Sequence, residues 1–395
     1  MKHPLIALLL LLAAAGAQAQ DTDTTHAAVQ DAIYERPFIG GLGGTSVGGY
    51  LEGNTNYFVE DGITDGFSME LRRFNIFLFS ALHPRIRFIS ELEFEHGTEE
   101  IALETALLDV QVHPMLVVRG GILLPPIGAF NQNHDSPLWE FVDRPLVSTE
   151  IIPATLSEIG FGVNGKVFRA PYLVTYDLYL TNGLGDGVIQ NAEGRTYLPG
   201  GKREEQFGED NNGSPAVSGR LAARHTRAGE VGVSFYTALY NTFTAEGERI
   251  DAKRRATLLA VDYAADLPRG IAVTGEAALA RIDVPEGLAE VFGDRQWGAF
   301  VDVVVPIWRP RAPLFAEAVL NAVLRLEGID YNVGTFSATG QRIRDERYSA
   351  VVGVSFRPVP GTVFRAGYRR HWRHDLVGNP AARGAGIQVG LASYF

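Results

Sequence analysis

From residue 43 onward, apolar and polar side chains alternate with a period of two. That is the pattern of strands with one apolar and one polar face. Ile86, Phe88, Ser90, Leu92 and Phe94 alternate with Arg87, Ile89, Glu91, Glu93 and Glu95. Ile271, Val273, Gly275, Ala277 and Leu279 alternate with Ala272, Thr274, Glu276, Ala278 and Ala280. Each run has the roughly 9–11 residues that a tilted strand needs to cross a bilayer. Sixteen such segments are predicted, near 47–58, 67–82, 85–95, 102–112, 116–124, 157–167, 172–181, 216–225, 230–240, 255–265, 271–280, 295–305, 313–327, 347–357, 362–371 and 384–395.

The connections alternate in length. Short ones such as His83-Pro84, His113-Pro114-Met115 and Pro358–Gly361 carry proline or glycine. They fall between long ones at Pro125–Leu156, Asn182–Pro215, Asn241–Arg254, Arg281–Asp294 and Gly328–Glu346, and only His96–Ile101 is brief on the long side. An outer-membrane barrel has short periplasmic turns, long extracellular loops and an even strand number. A soluble sandwich has no reason to sort its connections this way. The expected fold is therefore an all-β, 16-stranded antiparallel transmembrane β-barrel over 43–395, in the cell outer membrane of a Gram-negative-type bacterium. Ile387, Val389, Leu391 and Phe395 make an aromatic-ended strand suited to closing it. Arg72 interrupts the pattern, because Leu71 and Phe74 cannot both point outward in one regular strand. Either a bulge lies at Arg72-Arg73, or Arg72 faces outward at the rim.

The first residues set the compartment. Lys2 and His3 precede an apolar run to Ala15, and Ala17-Gln18-Ala19 is a small-x-small cleavage site. Residues 1–19 read as a secretory signal peptide, since the run is too short to span a bilayer as a helix. Residues 20–42 lack alternation and read as a periplasmic lead-in, partly disordered.

Composition adds little beyond exclusions. The net charge of −11 argues against nucleic acid as a partner. The 44 glycines in 395 residues exceed the usual roughly 7% and suit tight turns and close strand approach. There is no cysteine, hence no thiol chemistry. No metal-ligand spacing or cofactor motif stands out, so no cofactor, metal or catalytic set is expected. The alternatives to a passive channel are a substrate-selective channel for phosphate or another anion, a barrel enzyme, which would draw on Ser68, His96 and His134 although these form no recognisable arrangement, and an adhesion barrel.

Several pieces resemble the phosphate-selective porin O and P family. They are Leu71-Arg72-Arg73-Phe74, Arg119-Gly120-Gly121 with Pro125-Pro126, His134-Asp135, Asp143-Arg144-Pro145, Ile152-Pro153 with Glu158-Ile159-Gly160, Tyr179 to Gly183, and Arg325-Leu326-Glu327 with Asp330. The resemblance is diffuse and covers most of Val47–Phe395. It implies a homotrimeric porin passing anions or small hydrophilic solutes and ions in general. Outer-membrane lipid and lipopolysaccharide would be its surroundings.

In such a channel, function is pore radius plus the charges that line it. The polar face offers Arg85, Arg87, Arg119, Lys166, Arg220, Arg224, Arg325, Arg365 and Arg369 as basic pore-lining candidates. Against them stand Glu91, Glu93, Asp109, Glu158, Asp177, Asp262, Glu276, Asp302 and Glu317, which makes a mixed, hydrated lumen. The 125–156 segment is too long for a bare connection. It is expected to fold inward and narrow the pore, packed by Phe130, Trp139 and Phe141. Its acids Asp135, Glu140 and Asp143 would face wall arginines such as Arg119, Arg220, Arg365 or Arg369 across a gap, giving a transverse field. Tyr57, Phe58, Phe94, Tyr176, Tyr236, Tyr240, Trp297, Tyr348 and Phe395 read as membrane-interface aromatics.

Overall fold

The computed structural model describes residues 28–38, 44–202, 207, 208, 210, 212–310 and 316–395. The expected signal peptide and most of the early lead-in lie outside them.

Sixteen antiparallel strands form one closed barrel. They are β1 (Thr45–Glu60), β2 (Phe67–His83), β3 (Ile86–Glu95), β4 (Glu100–His113), β5 (Leu116–Leu123), β6 (Glu158–Arg169), β7 (Tyr172–Thr181), β8 (Ala216–His225), β9 (Gly229–Leu239), β10 (Arg255–Leu267), β11 (Ile271–Ile282), β12 (Arg295–Trp308), β13 (Val319–Asp330), β14 (Glu346–Val359), β15 (Thr362–Arg373) and β16 (Ala382–Tyr394). Each pairs with its chain neighbours, and β1 closes on β16 from Tyr50↔Tyr394 to Glu60↔Gly384. The predicted strands are found in the predicted order. Phe395 seals the seam: its N–H donates to the Gly49 carbonyl, and its ring stacks on Phe74 at 5.5 Å. A Cβ on Gly49 would lie 2.6 Å from that ring, so the close approach requires glycine.

Alternation places one apolar face outside. Phe161, Leu221, Leu279, Val352 and Ile387 are each more than half exposed. Such a belt would be a liability in water, but in lipid it is solvated. Closure leaves no strand edge unpaired, the condition for a sheet in hydrocarbon. The chain is a bacterial outer-membrane β-barrel.

The inside departs from the expected wet lumen in three places. The 125–156 loop folds inward through short helical turns at Phe130–Gln132, Ser136–Leu138 and Val147–Ile151. The loop after β7 adds Leu184, Val188 and Leu198 to the same interior. Finally, residues 28–38, expected in the periplasm, are folded against the inner wall, with a helical turn at Val29–Tyr34. Val29, Ile33 and Tyr34 give this turn an apolar side, and Ile33 and Tyr34 pack with Ile89, Leu107, Leu123 and Tyr179. Its polar side chains meet the wall: Gln30 donates to Asp177 at 2.9 Å, and Lys166 pairs with Asp31.

Candidate functional site

The loop crosses the lumen from β5 to the β13–β16 wall and returns to β6. Its two ends are stapled together. Asn131 donates to the carbonyls of Pro125 and Leu156 and accepts from the Leu156 N–H at 2.7 Å. Below the staple, His134 Nε2 meets Glu104 at 3.1 Å, and Thr155 donates to the same carboxylate at 2.6 Å. Burial opposes charge on His134, but Glu104 outweighs it and holds the imidazolium above the usual range.

Glu276 of β11 anchors the returning arm. It accepts from the N–H of Ala129 at 2.8 Å and from the Ser148 hydroxyl at 2.9 Å. Gly128 is fitted to this contact. Its φ is +64°, and a Cβ there would lie 2.2 Å from Glu276 Oε2. Around this anchor Ile127, Phe130, Val147 and Ile151 pack on Tyr236, Leu258, Ala278 and Phe300. That flank of the lumen is a dry core.

The tip of the loop meets a different wall. Asp143 accepts from Arg369 at 2.6 Å, from Arg72 at 3.0 Å and from Gln388. Burial opposes its charge, yet Arg369 and Arg72 outweigh that and hold the carboxyl below its ordinary range. Glu140 pairs with Arg357 at 2.6 Å. Asp135 accepts both Nε and Nη2 of Arg36, at 2.9 and 2.7 Å, and the hydroxyl of Tyr394 at 2.9 Å. A small cleft of ≈ 10 Å³ lies beside the tip, lined in part by Asp143, Arg325, Arg365 and Arg369.

The sequence-predicted arginines therefore part ways. Arg369 meets a loop acid in direct contact rather than across a gap. Arg365 donates instead to the carbonyls of Phe141 at 2.7 Å and Ser136 at 2.5 Å. Arg325 forks onto Asp302 at 2.7 and 2.6 Å and donates to the Asp143 carbonyl at 2.7 Å. Arg119 and Arg220 do not reach the loop acids. Arg119 binds Asp109 at 2.8 Å and the hydroxyls of Tyr179 and Tyr34. Arg220 binds Asp262 at 2.5 Å and Glu230 at 2.9 Å. Arg87 lies over the Tyr34 ring, and Arg85 is exposed at the β2–β3 turn. Glu317 sits in the turn before β13 rather than on a strand. Tyr236 is no interface anchor: it is buried in the lumen and donates to Glu158 at 2.7 Å. The acids at the tip are thus closed into ion pairs, because guanidinium forks within reach of carboxylates in a poorly hydrated interior bind them directly.

Two bulges supply side chains that strict alternation cannot. Glu52 faces Arg73 and Gly53 faces Leu71, which leaves Arg72 as the extra residue. Of the two readings of Arg72, the bulge is the one found. It turns both arginines inward, Arg72 to the loop and Arg73 to Glu52, Glu93 and Glu95. In β4, Glu104 is the extra residue between Leu103 and Thr105. Alternation assigns Glu104 to lipid, and the cost of a carboxylate there was the signal that could have found it. Arg36 was hidden in a segment without periodicity. Ser68 sits in an exposed stretch of β2, His96 in a turn on Glu70, and His134 within the crossing loop, buried on Glu104. Among the described residues, neither histidine bonds Ser68.

No family model matches the chain. A relative from Aquifex aeolicus (strain VF5), itself called an uncharacterized protein, is 27% identical over 369 residues, covering 87% of this chain and 79% of its own length. Among solved structures, an anion-selective porin from Comamonas acidovorans superposes with a TM-score of 0.55 at 10% identity, covering 89% of this chain and 99% of that one. The outer membrane channel DcaP of Acinetobacter baumannii gives 0.52 at 11% identity, with 90% and 99% covered. OmpT, an outer membrane protein of Vibrio cholerae solved in a trimer form, gives 0.51 at 10%, with 89% and 99% covered. At these identities the likeness is one of fold. The chain shares the architecture of outer-membrane porins and channels.

Proposed function

We propose that the chain is a passive outer-membrane channel for small hydrophilic solutes, narrowed by the 125–156 loop and biased toward anions, and that it does no catalysis. The observation that carries this reading is the loop laid across the lumen and clasped at its tip through Asp143. The β8–β13 side is packed dry, and a solute path would run by the cleft beside the loop tip, lined in part by Asp143, Arg325, Arg365 and Arg369. The resemblance to phosphate-selective porins favours anions, as does the shared fold with a porin described as anion-selective. The apolar outer belt suits lipid, lipopolysaccharide and sister subunits of a homotrimer.

Planar-bilayer recording tests this directly. The native protein should give discrete conductance steps, and removal of Asn131–Ser148 should raise the step size several-fold. An unchanged step would remove the loop as the constriction. The reversal potential in a KCl gradient should report anion preference, and strong cation preference would sink that part. Phospholipid and casein assays should show no turnover.

A further inference from the structure

We propose that Glu91, Glu104 and His134 form a binding site for a divalent transition cation, zinc above all, that fastens the crossing loop to the barrel wall. Glu91 comes from β3, Glu104 is the extra residue of the β4 bulge, and His134 comes from the loop. All three are buried, and one ligand atom from each lies within 4.8 Å of the others. Three ligands on one zinc stand about 3.3 Å apart, so these side chains need close in by no more than about 1.5 Å. No sequence spacing betrays the set, because its members come from three separate segments and one of them sits in a bulge.

Each side chain is steadied from behind. His134 Nδ1 lies 3.1 Å from the Asn131 carbonyl, and the opposite nitrogen, Nε2, faces Glu104 at 3.1 Å. Glu104 Oε1 accepts from Thr155 at 2.6 Å, and Glu91 Oε1 accepts from Asn75 at 2.6 Å. That leaves His134 Nε2, Glu104 Oε2 and Glu91 Oε2 for an ion. Metal-binding imidazoles and carboxylates are oriented in this way, by a hydrogen bond to the atom that does not bind.

A second observation points to a ligand. Glu91 Oε2, on a fully buried side chain, accepts no hydrogen bond among the described residues. Arg36 Nη2 is 2.7 Å away, but its guanidinium is forked onto Asp135 at 2.9 and 2.7 Å. Arg73 is divided among Glu52, Glu93 and Glu95. Two more buried oxygens beside Glu91 also lack a partner among the described residues. They are Oδ1 of Asn75, whose amide holds Glu91, and the hydroxyl of Thr105, the register partner of Glu91 on β4. Bare oxygens in a poorly hydrated interior are costly, and a cation with its bound water satisfies them.

One imidazole nitrogen beside two carboxylates suits zinc and its divalent neighbours in the transition series. Calcium and magnesium take oxygen ligands instead. On binding, the ion takes the place of the proton that Nε2 directs at Glu104, and that proton leaves to water. The bonds of the ion then join β3 and β4 to the loop.

Because the three ligands are buried, the test loads the metal during folding. Full-length protein is unfolded in urea and refolded into detergent with Zn²⁺ or with EDTA, then desalted. Zinc-refolded native protein should hold one zinc per chain by plasma mass spectrometry, and excess Ca²⁺ during refolding should not displace it. It should also lose its heat-modifiable migration several degrees higher than the EDTA-refolded protein. H371Q, which removes the histidine paired with Glu60 at 3.0 Å, controls for surface histidines and should keep the zinc. H134Q and E104Q should fall to background and lose the thermal difference. E91Q leaves the Glu104–His134 pair whole and should lower the zinc retained against a competing chelator at least tenfold. Barrel circular dichroism confirms that each variant folds. Native protein that holds no zinc, or zinc that survives E91Q undiminished, overturns the site, as does zinc lost in H371Q and kept in H134Q.

Discussion

The crossing loop is held in two contrasting ways. Its returning arm, Val147–Ile152, is buried in an apolar core and fixed by Glu276. Its tip, Asp135–Asp143, is held mainly by ion pairs, through Arg36, Arg357, Arg369 and Arg72, with Phe141 as a small apolar anchor on Val323 and Val351. Apolar burial is non-directional and indifferent to pH, and it sets where the loop lies. Ion pairs are directional and titratable, and they set where the tip points. A loop that must stay in the lumen, yet border water, gains from dividing the work in this way.

The largest separation should come from single removals on each side. Arg325→Met leaves Asp302 buried and unpaired and frees the Asp143 carbonyl, and should lower stability by roughly 3–5 kcal/mol. Urea unfolding followed by electrophoretic migration measures it, and a loss below about 1 kcal/mol would mean water already solvates Asp302. On the apolar side, Ile151→Ala should cost about 2–5 kcal/mol. That loss should be the same in 0.1 and 1 M KCl, and a marked salt dependence would refute the dry core. A smaller effect is expected from Gly128→Ala, roughly 1–3 kcal/mol, because the residue combines a positive φ with a Cβ driven into Glu276. Faster hydrogen exchange at Ala129 and Ser148 should accompany it.

The smallest effect is on gating. Asp143 has a lowered carboxyl value in the folded protein. Its clasp is therefore complete above the ordinary carboxylate range, near 4, and is lost as pH falls through the depressed value. Single-channel records should show more closures at pH 3 than at pH 7. Asp143→Asn should show the acid behaviour at pH 7 already, and a variant as quiet as native protein would separate Asp143 from gating.

The barrel was legible in the sequence because period-two alternation and the long–short alternation of connections are local signals. The inward course of 125–156 was expected from its length and from the porin resemblance, and the loop does lie in the lumen. Its partners were harder to read. Arg369 and Arg357 lie 226 and 217 residues from their acids, and nothing local encodes such a pairing. The reach of Asp135 to Arg36 was invisible for a second reason: residues 28–38 have no strand period and read as a tail. The dry flank was hidden in plain alternation, because small inward residues such as Ala278 and Ala280 fit a hydrated wall as well as a packed one.

The extra residues at Arg72 and Glu104 carry a consequence for how such a pore changes over time. A regular ribbon grants the interior every second side chain. One inserted residue grants two in succession, while the strand count, and with it the girth of the cylinder, stays the same. Single-codon insertions and deletions thus become a means of adding or erasing interior charge at chosen heights, without asking the lipid-facing surface to change.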